Sequence, residues 1–190
     1  MSIEYQSLDA RVRSAMTHEV DRDQANGVLY LSPRLTEEGV RAWPRILREA
    51  CEHHDDSWLA DTLRSRNLLQ AKEQRRLSNG KVSIAQVPNN AAEILAEGEF
   101  NRCYARGLCV EVLACGEAEV EVCRGKDVEN PRPESQAMIG RRLPASALLD
   151  DLRTSQGIEP ALGLPKGPNS GLTVRRPTQT HSPRGAVVGR

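Results

Sequence analysis

The longest helical pattern in the chain opens at Asn90, with apolar residues at Ala91, Ile94, Leu95, Phe100, Cys103, Tyr104, Leu108, Val112 and Leu113. Steps of three and four dominate from Phe100 onward, as a helix with one buried face requires. Asn90 followed by Glu93 has the form of a capping box, and Gly116 is the natural stop. Gly98 and Gly107 weaken the pattern, so it fits two helices broken near Gly98 as well as one long one. Residues 118–124 then alternate with period two. Val120 and Val122 face one way, and Glu119, Glu121 and Cys123 the other. Such a strand must pair with another to be stable.

The remaining elements follow from the same two periods. Leu8, Val12, Ala15 or Met16, and Val20 form a helical stripe after a Ser7 cap, ended by Gly27. Val28 to Leu31 is a short apolar run closed by Ser32-Pro33, ambiguous between strand and loop. Thr36, Glu37 and Glu38 open a second helix that turns Val40, Trp43, Ile46, Leu47 and Ala50 to one side. Pro44 lies inside it and is expected to kink or divide it. His53 to Asp56 form a hinge, with Asp56 capping a third helix that buries Trp58, Leu59 and Leu63. So short a joint predicts a helical hairpin. Residues 64–81 are strongly basic and end in the turn dipeptide Asn79-Gly80. Lys81 to Val87 alternates weakly and stops at Pro88, which predicts a strand paired with Val120–Cys123. Pro131 and Pro133 make residues 127–142 look irregular. Pro144 starts a last helix carrying Ala147, Leu148, Leu149 and Leu152, with Gly157 as its stop.

The pattern therefore predicts a mainly helical α+β fold: a helical hairpin, a central helix at about 90–115 and a small antiparallel sheet. Its expected divisions are an N-terminal helical segment (1–27), a core domain (28–157) and an extended basic arm (158–190). The arm's glycines and prolines leave it unable to build a core of its own.

Charge sharpens that division. The chain has no net charge, but the arm holds Lys166, Arg175, Arg176, Arg184 and Arg190 against Glu159, so the body carries the balancing negative excess. The body is no general polyanion binder. Aromatics are only 3% of residues, which argues against a base-stacking platform. Neither a signal peptide nor an 18-residue apolar span is visible. The expectation is a soluble protein made in the cytoplasm, with no membrane partner.

Candidate chemistry is sparse. The cysteines at 51, 103, 109, 115 and 123 have spacings that match no zinc fingerprint. They read either as small buried hydrophobes in a reducing cell, or as disulfides among Cys103, Cys109, Cys115 and Cys123 formed in an oxidising exterior. Cys51 to Asp56 has metal or acid–base residue types, but they crowd one turn with no second cluster, as a solvated, capped turn does. No phosphate-binding loop and no nucleophile–base motif occurs. No catalytic, cofactor-binding or metal-binding residue is therefore assigned, and the chain is expected not to be an enzyme. The basic segment 64–76 beside the helical hairpin leaves open a DNA-binding regulator, although Trp58 and Asp61 sit where a recognition helix offers base-reading groups.

Four stretches carry a resemblance: EGEFNRCYARGLCVEVL from Glu97, VEVCRGKDVENPRPESQAMIG from Val120, LLDDLR from Leu148 and LGLPKGPNSGLTVR from Leu162. Over roughly residues 28–175 the chain resembles small proteins encoded in the head-and-neck gene modules of tailed bacteriophages and prophages. The resemblance implies a virion structural protein, foremost a head–tail connector (adaptor) forming a homo-oligomeric ring. Its implied partners are itself, the portal, other neck or tail proteins, and DNA passing through the channel. Within that reading the arm is the docking element, with Leu172, Val174, Arg175, Arg176, Arg184, Val187 and Val188 as contact residues. Leu172-Thr173-Val174 alternates as a strand added to a neighbour's sheet edge does. Cysteine at 103, 115 and 123, where related sequences carry aromatic or aliphatic residues, fits a disulfide-stabilised particle.

Overall fold

A 24-residue helix runs unbroken through the centre of the molecule, and helices and strands are laid against its sides. The computed structural model describes residues 3–76, 80–155 and 170–178. In chain order these form α1 (Ala10–Ala25), α2 (Glu37–His53), α3 (Asp56–Ser65), β1 (Lys72–Arg76), β2 (Val82–Gln86), α4 (Ala91–Ala114), β3 (Glu119–Arg124), α5 (Pro133–Met138), β4 (Arg142–Pro144), α6 (Ala145–Thr154) and β5 (Leu172–Arg175). The fold is mainly helical α+β with two small antiparallel sheets, as the hydrophobic pattern predicts.

Local chemistry fixes the helix ends. Asp9, not Ser7, caps α1, its Oδ1 accepting from Arg11 N and Val12 N at 3.0 and 2.9 Å. Thr36 caps α2 as expected, its Oγ1 accepting from Gly39 N at 3.0 Å. Pro44 does not divide α2, which continues to His53. Asp55, one residue earlier than expected, caps α3 through Trp58 N at 2.8 Å. Asp56 is buried instead, accepting from Ile3 N at 3.3 Å. The capping box at α4 does not form. Asn90 makes no side-chain cap bond, and Glu93 is taken by Arg64 of α3. Gly116, at φ +77°, closes α4 as read.

The two glycines inside α4 have opposite surroundings. A Cβ on Gly107 would meet Met16 Cγ at 2.6 Å and Val12 O at 2.9 Å, so Gly107 is what lets α1 lie directly on α4. A Cβ on Gly98 would meet nothing within 4 Å. Gly98→Ala is therefore expected to stabilise the protein by about 0.5–1 kcal/mol. Gly107→Ala gains the same propensity yet is expected to cost about 1–3 kcal/mol by forcing the helices apart. Thermal unfolding of the two variants checks the pair; equal shifts would mean that α1 does not lie where the structure puts it.

Strand pairing differs from the sequence reading. β2 pairs with β1, not with β3, in a separate two-stranded ribbon. β3 is the centre of a three-stranded sheet of order β4-β3-β5. Its partners are thus Arg142–Pro144, where the sequence reading placed the end of an irregular stretch and the start of the last helix, and Leu172–Arg175, from the arm. Period-two alternation identifies a strand but carries no information about its partner. The expected exposed face of β3 is also covered. Residues 120–123 are all buried, with Val120 and Val122 in the core and Glu121 closed over by the arm. Residues 172–174, assigned to the arm from the sequence, are buried in the body.

Candidate functional site

The turn at Cys51–Asp56 resolves into structural roles. Cys51 is buried, Asp55 is a cap, and the His54 ring stacks on Trp58 with centroids 4.2 Å apart. Arg13 of α1 closes the end of α2, its Nη1 donating to the carbonyls of Cys51 and His54 at 3.0 and 2.9 Å. A surface hollow of about 460 Å³ lies beside it, lined by Tyr5, Arg13, His54 and Trp58 among others. No group of three or more His, Cys, Asp or Glu side chains able to hold a metal occurs among the described residues.

The strongest concentration of charge is inside the protein. Arg106 of α4, 2% exposed, donates from Nε and Nη2 to Glu19 Oε2 at 2.8 and 2.6 Å. The same guanidinium donates from Nη1 and Nη2 to Asp23 at 2.5 and 2.9 Å. Arg153 of α6 donates to both oxygens of the Glu19 carboxylate, Oε2 at 3.0 Å and Oε1 at 2.5 Å. Burial opposes the charge on Arg106, but the bonds to Asp23 and the charge of Glu19 outweigh it and raise its pKa. Burial likewise opposes ionisation of Glu19, and Arg153 and Arg106 overcome it, so its pKa is lowered. Glu99, two turns earlier on the helix than Arg106, is pushed up to about 7 by burial, against the pull of Arg102 and Arg106. The network joins α1, α4 and α6. Its signal was present in the sequence: Glu19 and Asp23 are four apart on one helix, as are Arg102 and Arg106 on another.

The structure uses the expected docking residues within the chain. Leu172 and Val174 are buried in the sheet on β3, which corrects their assignment as anchors for a neighbour. They close this chain's own core because β3 has an edge that only β5 fills. Asn101 Nδ2 donates to Leu172 O at 2.8 Å, and Thr173 Oγ1 donates to Asn101 Oδ1 at 2.7 Å. Arg175 binds Glu121 at 3.1 and 2.5 Å. Arg176 binds Asp9 at 3.0 Å and donates its backbone N–H to Ser7 Oγ at 3.1 Å. Arg184, Val187 and Val188 lie outside the described residues.

All five cysteines are free thiols in this structure, and Cys51, Cys103, Cys109 and Cys123 are buried. Burial raises the thiols of Cys109 and Cys123 to about 12 and about 11. Cys115 alone is exposed. A thiol reagent at neutral pH should therefore label one cysteine per native chain quickly, and all five only after denaturation. Rapid labelling of two or more in the native state would contradict this burial.

The basic segment is largely neutralised. Arg64 pairs with Asp61 and Glu93, Arg66 with Glu38 at 4.0 Å, and Arg75 with Glu73 at 2.8 Å. Lys72 and Arg76 make no ion pair among the described residues. They stand on the β1–β2 ribbon, where Val82 and Ile84 are also exposed. No described helix is long and apolar enough to cross a membrane. Compared with family models, curated proteins and solved structures, the chain matches none.

Proposed function

We propose that the protein is a non-enzymatic structural subunit of a tailed-phage particle, a head–tail connector that assembles as a ring at the portal. The observation that carries this reading is the β1–β2 ribbon. An isolated two-stranded ribbon is marginal in water, and this one leaves two aliphatic side chains uncovered, as a subunit awaiting neighbours does. The resemblance in the four sequence stretches supplies the identity of the assembly. The DNA-binding alternative loses support from the ion pairs that occupy Arg64, Arg66 and Arg75.

The arm's role in this reading moves beyond residue 178. Cutting after Gly157 removes β5 and breaks the sheet, so it tests folding rather than docking. Truncation after Thr178 leaves every described strand intact and removes Arg184, Val187 and Val188. The expected result is a protein with unchanged circular dichroism and melting that no longer joins the portal when co-expressed with it. If the shortened protein still joins the portal and supports infectious particles, residues 179–190 have no docking role.

A further inference from the structure

The outer face of the β1–β2 ribbon is divided lengthwise into unlike halves. The register pairs Lys72 with Gln86, Gln74 with Ile84 and Arg76 with Val82. Directly opposed residues share a face, so β1 presents Lys72, Gln74 and Arg76 while β2 presents Val82, Ile84 and Gln86. Ile84 is 72% exposed and Val82 61%. The opposite face, with Glu73, Ser83 and Ala85, is half-buried, and Arg34 ties Glu73 to the body at 2.6 Å. What faces outward is an aliphatic strip bordered by two cations that make no ion pair among the described residues. Its complement is an apolar surface with an acidic margin.

The same chain exposes a small apolar patch with two acids at the far end of α4, beside a hollow that Glu117 shares with Arg142 and Arg176. β2 leads into the start of α4, and its 24 residues, rising about 1.5 Å each, put the last turn about 35 Å away. Residues 113–118 are all exposed there, among them Leu113 and Ala114. Glu117 makes no ion pair among the described residues. α1, α2, α3 and α6 each carry a basic residue in the last turn, but α4 carries none. The negative end of its dipole is flanked instead by Glu117 and by Glu111, which Arg11 approaches at 3.5 Å.

We infer that the ribbon of one copy docks on the C-terminal end of α4 of the next. Val82 and Ile84 cover Leu113 and Ala114, while Lys72 and Arg76 meet Glu117 and the helix end. Because the two surfaces differ and lie at opposite ends of α4, the contact is head-to-tail and repeats from copy to copy until it closes. The inference rests on the ring reading and names the surfaces that build the ring.

Cys115, exposed between Ala114 and Gly116, supplies a native thiol for the test. A double variant, Ile84→Cys with Cys115→Ser, carries its surface thiol on the ribbon only. An equimolar mixture of this variant with wild type is treated with oxidised glutathione and run on a non-reducing gel. The expected result is a disulfide-linked dimer from the mixture and from neither protein alone. Arg76→Glu should weaken self-association at least about tenfold in sedimentation, with recovery when the partner copy carries Glu117→Lys. Dimers from the double variant alone mean that ribbon meets ribbon, which overturns the inference. A mixture that forms rings without the link, with Arg76→Glu assembling like wild type, overturns the docking surfaces and leaves the ring reading standing. A wild type that stays monomeric at every concentration, portal present or absent, overturns both.

Discussion

Arg106→Ala is expected to cost about 3–5 kcal/mol, a large part of the 5–15 kcal/mol that holds a typical domain folded. The guanidinium is 2% exposed and donates to both Glu19 and Asp23, so its removal strips two buried carboxylates of their shared partner. Arg153 still reaches Glu19, but Asp23 loses both of its bonds to Arg106. Arg22 still approaches Asp23 at 3.7 Å, so the cost arises from buried carboxylates left with weaker compensation more than from the lost bonds themselves. Arg106→Lys keeps the charge but has no planar fork to span two carboxylates, and it should fall between wild type and alanine. Urea unfolding at constant slope measures both variants. A loss below about 1 kcal/mol for Arg106→Ala would show that the network contributes little to stability.

Glu99 gives the protein an unusual dependence on pH. Its folded pKa of about 7 stands above the ordinary 4.5, so the folded protein retains a proton that the unfolded chain releases between those values. Stability must then fall as pH rises through this window and level off above about 7, by about 3 kcal/mol in all. Glu19 acts in the opposite sense and in a different window. Its lowered pKa contributes stability that is present above its unfolded value and lost on acidification below it. Glu99→Gln should remove the Glu99 part of the decline and leave the part due to Asp56, whose carboxyl burial raises to about 6, so the variant is more stable than wild type at pH 8 and close to it at pH 4.5. Denaturant titrations at four pH values across the window decide the matter. Parallel curves for variant and wild type would refute the assignment.

Elements governed by neighbouring residues were legible in the sequence. Thr36 and Gly116 mark real helix ends because capping is settled within one turn. The apolar stripe of α4 was found, but α4 is covered on several sides, so a one-faced reading missed buried Glu99, Asn101, Arg102 and Arg106. Leu113, read as part of the stripe, is instead exposed at the helix end. Strand partners were not legible. Residues 82–87 and 120–123 both alternate, yet each pairs elsewhere, and pairing depends on tertiary contacts that periodicity does not carry. Leu172-Thr173-Val174 was recognised as a strand, but its glycine- and proline-rich setting suggested an external edge when its own sheet was open. The ribbon's two-faced character follows from the β1–β2 register, which no local rule supplies.

The sheet order also sets a timetable for synthesis. β3 and β4 leave the ribosome close together, but β5, the other neighbour of β3, follows about 50 residues after β3. At 5–20 residues per second the growing chain holds one side of β3 open for roughly 3–10 seconds. An open edge of that kind invites pairing with another nascent chain. Glu121 stands on it as an unneutralised charge until Arg175 arrives, and then the same carboxylate holds the last strand in place. One side chain thus guards the edge during translation and locks it at the end.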